Sequence, residues 1–307
     1  MEVSKERIDF EKRIKIKDYP YSILLEPTAY CNLSCGMCMN SKMKRSKGYM
    51  QFEFFQKIVD QVVEYFPDSN FWMNGYGEPL LHKDICKMVK YAADKGIHVF
   101  MNTNAMLLDD KMADNLIESG IYEIVVSIDG FSKRTYESVR IGADRDIVYN
   151  NVTCLLQKIN KINANKPIVE VQFIEIPSIL HEKEEWISFW REKGARTKFK
   201  SYTTWGGNLE RDYVNPKERL ACGDCNILDI LWDGRVPYCA GGDVECKYLL
   251  GDANNEPLND IWQRQIKEFC NYHLTHQFDK LPPSCRECPD WFAMPAQHYD
   301  ERGLQKK

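Results

Sequence analysis

Apolar positions in this chain follow two alternating patterns. Compact apolar runs of strand length lie at 22–26 (SILLE), 70–74, 97–102, 122–128, 168–174 and 196–201. Between them, near 82–95, 109–119, 146–162 and 182–193, apolar residues return every three or four positions, the period of a helix with one buried face. Phe52, Phe55, Val59, Val62, Val63 and Phe66 form the first such stripe, which Pro67 and Asp68 close. Strand followed by helix, repeated, predicts a parallel sheet with crossover helices. The expected fold class is therefore α/β, a parallel barrel, complete or partial, whose functional groups should gather at the carboxyl ends of the strands.

Both ends depart from this rhythm. Residues 1–20 mix charges with Ile8, Phe10, Ile14 and Ile16 and stop at Pro20, as a lid or wrap-around extension would. After about Ser201 the alternation gives way to a turn-rich stretch. The expected division is an extension over 1–20, the barrel over 21–203 and a smaller C-terminal unit over 204–307. In that unit Ile227 to Trp232 and Arg235 to Tyr238 flank an Asp233-Gly234 turn and read as a hairpin, and 257–271 reads as a helix. The segment 240–256 carries no clear pattern.

The polar motifs fall where a barrel needs them. Tyr30 to Met39, with Cys31, Cys35 and Cys38, follows the first strand; Gly75-Tyr76-Gly77-Glu78-Pro79 follows the second; Asn102, Thr103 and Asn104 follow the third; Ser127-Ile128-Asp129-Gly130 closes the fourth. Any one of these alone is a turn. Four on one rim define a site.

Composition narrows the chemistry. The chain has 307 residues, twelve of them cysteine, a formal net charge of −4 and a pI near 5.9, which gives no pull toward nucleic acid. No run is long and apolar enough to span a bilayer, and the N-terminus has neither an apolar core run nor a small-residue cleavage site, so a cytoplasmic protein with no membrane partner is expected. In that reducing compartment the cysteines read as ligands, catalytic thiols or core residues rather than disulfides. Cys86, Cys154 and Cys270 sit singly in helical segments and read as packing; the other nine form two clusters. Lys42, Lys44, Arg45 and Lys47 read as a solvated loop in preference to an anion site, His98 as core or rim, and His273 and His276 as surface.

Cys31, Cys35 and Cys38 are spaced by three and then two residues, with no fourth ligand nearby. Three thiolates on a short loop can each take one iron of a [4Fe–4S] cube and leave the fourth open, whereas structural zinc needs four protein ligands. The C-x3-C-x2-C loop resembles that of the radical S-adenosylmethionine (SAM) superfamily, where the open iron holds SAM. The resemblance implies a partial (β/α)6 TIM-like barrel with a SAM pocket formed by Tyr76, Gly77, Glu78 and Pro79, in which Tyr76 replaces the first glycine of the family's GGEP element, together with Thr103, Asn104, Ser127 and Asp129. Met37 stands where the family places an aromatic residue over the adenine.

Two metal readings compete in the C-terminal unit. Cys222 with Cys225 and Cys285 with Cys288 suit a zinc ribbon. Cys222, Cys239, Cys285 and Cys288, with Gly234, Gly251-Asp252 and Leu258 to Trp262, instead resemble the SPASM/twitch subfamily, which implies one auxiliary [4Fe–4S] cluster; Cys225 lies too close to Gly234 for that spacing. A cluster with four cysteine ligands has no open iron and suits electron transfer. The resemblance thus implies an oxidoreductase that makes a 5′-deoxyadenosyl radical, oxidises a C–H/C–OH centre and passes an electron to the auxiliary cluster. Similarity to the subfamily's aminocyclitol dehydrogenases points to a small polar substrate such as a sugar, aminocyclitol or nucleotide sugar. A flavodoxin- or ferredoxin-type electron donor is implied as well. The alternatives are a redox-neutral epimerase with Cys225 or Cys246 as hydrogen donor, a peptide-modifying relative of the sulfatase-maturing enzymes, and a zinc-ribbon binding module with no redox chemistry.

Overall fold

A computed structural model describes residues 8, 9, 11, 12, 14, 16–210 and 218–292. Its centre is a seven-stranded parallel sheet. Six strands come in chain order: β1 (Ser22–Leu25), β2 (Asn70–Met73), β3 (Val99–Thr103), β4 (Glu123–Ser127), β5 (Ile168–Glu175) and β6 (Arg196–Ser201). The crossovers are α1 (Phe52–Tyr65), α2 (Ile85–Asp94), α3 (Asp110–Glu118), α4 (Lys133–Val139) with α5 (Arg145–Lys161), and α6 (Lys183–Glu192). The expected α/β fold is present.

Alternation along the strands sets what each face does. Ile23, Leu25, Phe71, Met73, Val99, Met101, Ile124, Val126, Val171 and Phe173 point outward into the helix layer, where α1 supplies Phe55, Ile58, Val59 and Val62. Val63, expected on that stripe, lies off it and is 40% exposed. The inward set, Leu24, Trp72, Phe100 and Val125 with Tyr122, packs on itself, with Trp72 stacked on Phe100 at 4.7 Å. A buried Lys198–Glu170 ion pair (3.1 Å) lies on the same inner face. This packing occupies the middle of the inner face, and beyond it the carboxyl rim stays open.

The Asp233-Gly234 turn forms, with Gly234 at φ +90°, but its arms do not pair as a hairpin. β7 (Ile227–Ile230) joins the main sheet parallel to β1, with Leu24 opposite Asp229, and gives the order β6-β5-β4-β3-β2-β1-β7. β8 (Arg235–Pro237) pairs antiparallel with β9 (Leu249–Asp252), a strand inside the segment that carried no pattern. β1 would otherwise be an open edge, and Leu228 and Ile230 bury in the main core only when β7 covers it. The chain continues through α7 (Leu258–Gln265), a π turn, α8 (Asn271–Leu274) and the short α9 (Pro283–Arg286).

Ile14 and Ile16 pack against Phe269, Cys270, Leu281 and Cys285, and Glu11 accepts from the Ala221 N–H and faces His276. The described part of the N-terminal segment therefore wraps the C-terminal unit and does not lid the barrel mouth. No helix among the described residues is long and apolar enough to cross a membrane.

Candidate iron–sulfur active site

The cysteine loop leaves β1 at Glu26 and folds back on itself. Ala29 N–H donates to Gly48 O (3.1 Å), Met50 N–H to Pro27 O (2.8 Å), and Thr28 pairs with Tyr49. Its base is held by a buried bidentate ion pair, Arg45 Nη1 and Nη2 on the two Glu26 carboxylate oxygens at 3.0 and 2.5 Å. Arg45 was expected in solvent. It is buried because its guanidinium, which also donates to Val244 O (3.2 Å), fills the space between the loop and the C-terminal unit. Lys42 and Lys44 are exposed as expected, whereas Lys47 is held by Asn40 O and Oδ1.

The Tyr-Gly-Glu-Pro segment is clamped to this loop. Asn40 Nδ2 donates to both Ala29 O and Tyr76 O (2.8 and 2.7 Å), and Glu78 N–H donates to Tyr30 O (2.8 Å). A Cβ on Gly77 would sit 2.0 Å from Thr28 O, so only glycine lets the two backbones approach this closely. Glu78 is buried and accepts from Thr103 Oγ1 (2.6 Å), Asn104 N–H (2.8 Å) and Leu80 N–H (3.1 Å). Desolvation nonetheless moves its carboxyl above the usual carboxylate range.

A cavity of about 260 Å³ opens on the carboxyl rim. Cys31, Cys35, Cys38 and Met37 line it, together with Tyr76, Gly77, Glu78, Thr103, Asn104 and Ser127. Two of the expected pocket residues do not. Pro79 is buried at the start of a short helical turn, and Asp129 is fully buried behind Arg140, accepting from its Nε (2.7 Å) and Nη2 and from Ile174 N–H (2.6 Å). Because Asp129 is committed to that pair, Arg140 is the residue that reaches the cavity, its Nη1 3.9 Å from Cys35 Sγ. No local pattern marks it, since α4 buries only Tyr136 and shows no apolar stripe.

The second set of thiols faces the same cavity from the other side. Cys239, which follows β8, lines it; Cys222, Cys239, Cys285 and Cys288 together line an adjoining cavity of about 60 Å³ with Arg219, Tyr238 and Trp291. Gly242 N–H donates to Cys239 Sγ (3.2 Å) and Asp290 N–H to Cys288 Sγ (3.3 Å). His273, expected at the surface, is fully buried here because α8 turns it inward onto Phe269 (4.8 Å between ring centroids). His98 lies just before β3, exposed, and stacks on Tyr122. Two aromatic side chains tie the thiol sets together: Tyr76 Oη donates to Ala240 O (2.9 Å), Trp205 Nε1 donates to Met37 O (2.7 Å), and their rings lie 5.2 Å apart.

Asp229 was missed by sequence reasoning. In register with the inward-facing Leu24, it lines the cavity between the thiol sets, and its Oδ2 accepts from Ala240 N–H (2.8 Å). Burial pushes its carboxyl up to about 7. An acidic residue at an inward position of a short apolar strand was the available signal. Cys246, a candidate hydrogen donor, is 3% exposed, does not line the cavity, and is pushed up to about 12 by burial. The side chain of Cys225 lies outside the described residues.

The donor chemistry fits iron–sulfur clusters at both places. Burial pushes Cys31 and Cys288 up to about 11 and raises Cys38 and Cys239, so these thiols ionise only when a cation takes the place of the proton. Among the described residues no three His, Cys, Asp or Glu side chains converge tightly enough for one bare ion. A single zinc would draw its sulfurs to roughly 4 Å of one another, given Zn–S bonds of about 2.3 Å. The thiolates on a cube stand farther apart.

Parallel barrel, three-thiol rim loop and second thiol set together describe an iron–sulfur enzyme on an α/β scaffold. Residues 25–169 match the model of the radical SAM superfamily, and residues 222–289 match that of the SPASM iron–sulfur cluster-binding domain. A tungsten-containing aldehyde ferredoxin oxidoreductase cofactor-modifying protein of Pyrococcus furiosus is 34% identical over 312 residues, covering 87% of this chain and 86% of the relative. A probable GTP 3′,8-cyclase of Methanococcus vannielii is 27% identical over 273 residues, 76% of this chain and 90% of the relative. The crystal structure of BtrN in complex with AdoMet and 2-DOIA superposes with a TM-score of 0.62 at 18% identity, over 89% of this chain and 94% of BtrN. That of Streptococcus suis SuiB bound to its precursor peptide gives 0.65 at 15% identity, over 84% and 67%. The chain belongs to the radical SAM superfamily and carries a SPASM domain. Its cofactors are accordingly a [4Fe–4S] cluster that binds SAM and auxiliary iron–sulfur chemistry.

Proposed function

We propose that this enzyme oxidises a C–H/C–OH centre of a small polar substrate held between two [4Fe–4S] sites, one on Cys31, Cys35 and Cys38 within the barrel of residues 21–203, the other on Cys222, Cys239, Cys285 and Cys288 within 204–307. The observation that carries this reading is the shared cavity, lined from one side by the three-thiol loop and from the other by Cys239, Tyr238 and Asp229. Loaded, the two groups supply a 5′-deoxyadenosyl radical that takes a hydrogen atom from a substrate carbon and an acceptor for the electron that carbon then releases. The chain's own residues do the rest. Glu78 and Arg140 line the SAM side, the Tyr76–Trp205 pair closes the wall between the sites against water, and Asp229 is placed to receive the proton of the substrate hydroxyl at its free carboxylate edge. The hydrogen atom, the electron and the proton each have a destination, and the product is a ketone.

A second reading is favoured by the 34% identity over 87% of the chain to the Pyrococcus furiosus protein. The same site would then act on a cofactor, as that relative's name states for the relative. Both readings predict about eight irons per chain after anaerobic reconstitution and about four in a Cys31/Cys35/Cys38→Ala variant. The substrate panel should contain polyols, amino sugars and the cofactor of a tungsten-containing aldehyde ferredoxin oxidoreductase, scored for 5′-deoxyadenosine and oxidised product. About four irons in the wild type, or a redox-neutral product carrying one solvent deuterium, would refute the oxidation and leave Cys225 to be examined as hydrogen donor.

A further inference from the structure

His273 sits between two of the thiols assigned to the auxiliary site and touches both residues. Its Nδ1 accepts the Cys222 N–H at 3.3 Å, and its Nε2 lies 3.2 Å from Cys285 Sγ. An imidazole nitrogen that accepts from an amide carries no proton, so the ring proton must be on Nε2 and is aimed at the sulfur. The ring cannot turn to another arrangement without losing its packing between Phe269 and Phe278, whose centroids lie 4.8 and 6.0 Å away. Arg219 adds to the same sulfur, with Nη2 3.9 Å from Cys285 Sγ and 2.8 Å from Cys285 O. Thiolate sulfur becomes more negative when a cluster gains an electron. A fixed N–H donor therefore favours the reduced state and raises the reduction potential.

We propose that His273 is a positioning residue that sets the auxiliary cluster as an electron acceptor, by donating Nε2–H to Cys285 Sγ while its Nδ1 fixes the Cys222 backbone. This inference rests on the four-cysteine assignment proposed above. It goes beyond that assignment by naming the residue that tunes the site, and it makes the oxidation directional: substrate electrons run toward the C-terminal unit because the cluster there is easier to reduce than it would be beside an apolar ring.

The test is a potentiometric titration of anaerobically reconstituted protein, with the clusters resolved by electron paramagnetic resonance, for the wild type, His273→Phe and His273→Gln. Phe keeps the ring packing and removes both hydrogen bonds; Gln keeps an N–H donor. In His273→Phe the auxiliary site should be at least tenfold harder to reduce, a fall of 59 mV for one electron. The Cys31/Cys35/Cys38 site should be unmoved, and His273→Gln should recover at least half of the shift. An auxiliary potential that stays at the wild-type value in both variants, with iron content near eight, overturns the role of His273 and leaves the ligand assignment standing. Wild-type protein holding only about four irons, all lost in the Cys31/Cys35/Cys38→Ala variant, overturns the assignment and the inference with it. If His273→Phe fails to hold iron, His273→Gln decides alone: an auxiliary site at most about threefold harder to reduce than wild type supports the hydrogen bond, and a larger loss overturns it.

Discussion

The ion pair under the cysteine loop offers a quantitative test of how the first site is held. Arg45 and Glu26 have side-chain exposures of 2% and 3% and meet through two hydrogen bonds of 3.0 and 2.5 Å. Breaking such a pair from one side leaves a buried charge without its partner, which costs about 3–5 kcal/mol, far more than a surface pair is worth. The Arg45→Met variant also takes the Nε donor from Val244 O, so its cost should fall in the upper half of that range. For a chain of this size a kcal/mol corresponds to about 2 °C in melting temperature, so a fall of roughly 8–10 °C is expected. Glu26→Gln should behave similarly, while Arg45→Met/Glu26→Leu, which removes both charges, should recover most of the loss. The assay is thermal and urea unfolding of the apo protein, with iron content as a second readout. Single variants that melt within 2 °C of wild type, or a double variant as unstable as the sum of the two, would refute the account.

Three further perturbations follow from the same geometry. Gly77→Ala forces a Cβ onto Thr28 O, and should cost about 1–3 kcal/mol or more and halve iron content by emptying the Cys31/Cys35/Cys38 site, as measured by iron analysis of reconstituted protein. Arg140→Met strands the fully buried Asp129 carboxylate; expect a loss of about 3–5 kcal/mol by urea unfolding and weaker retention of the SAM-site iron. Asp229 is raised by burial to about 7, so the folded apo protein binds its proton more tightly than the unfolded chain does. That preference stabilises the fold below the unfolded carboxyl range and is lost as pH rises through about 7, so at pH 8 apo Asp229→Asn should melt above wild type, with the two curves meeting near pH 4. In the loaded enzyme the same variant should still cleave SAM but form less oxidised product for each 5′-deoxyadenosine.

What the sequence disclosed was what local pattern controls. Runs such as SILLE and the stripe of Phe55, Val59 and Val62 specify strand and helix by themselves, and the rim motifs follow because each sits just past a strand. Features decided by distant partners stayed hidden. Arg45 reads as one more cation of a basic loop until Glu26 is seen beneath it, and Asp129 reads as a ligand-facing carboxylate until Arg140 is seen to occupy it. Gly234 marks a turn correctly, but no local signal says that β7 will prefer the edge of β1 to its neighbour β8. His273 lies in the single-turn α8, too short to show an apolar stripe, and only the packing of α8 on the cysteine unit reveals its burial.

The pairing of β7 with β1 also orders the birth of the protein. Ser22 waits for Ile227 as its sheet neighbour, an interval of roughly 10–40 s at ordinary rates of translation. Until then the nascent barrel has an unpaired edge beside its first cysteines. Val244, which receives Arg45, and Ala240, which receives Tyr76, have also not yet been synthesised. The contacts that shape the first metal loop are thus among the highest in contact order in the chain, and they are late to form. Iron delivered early would meet a loop without its supports, which are complete only once residues 240–244 have reached it.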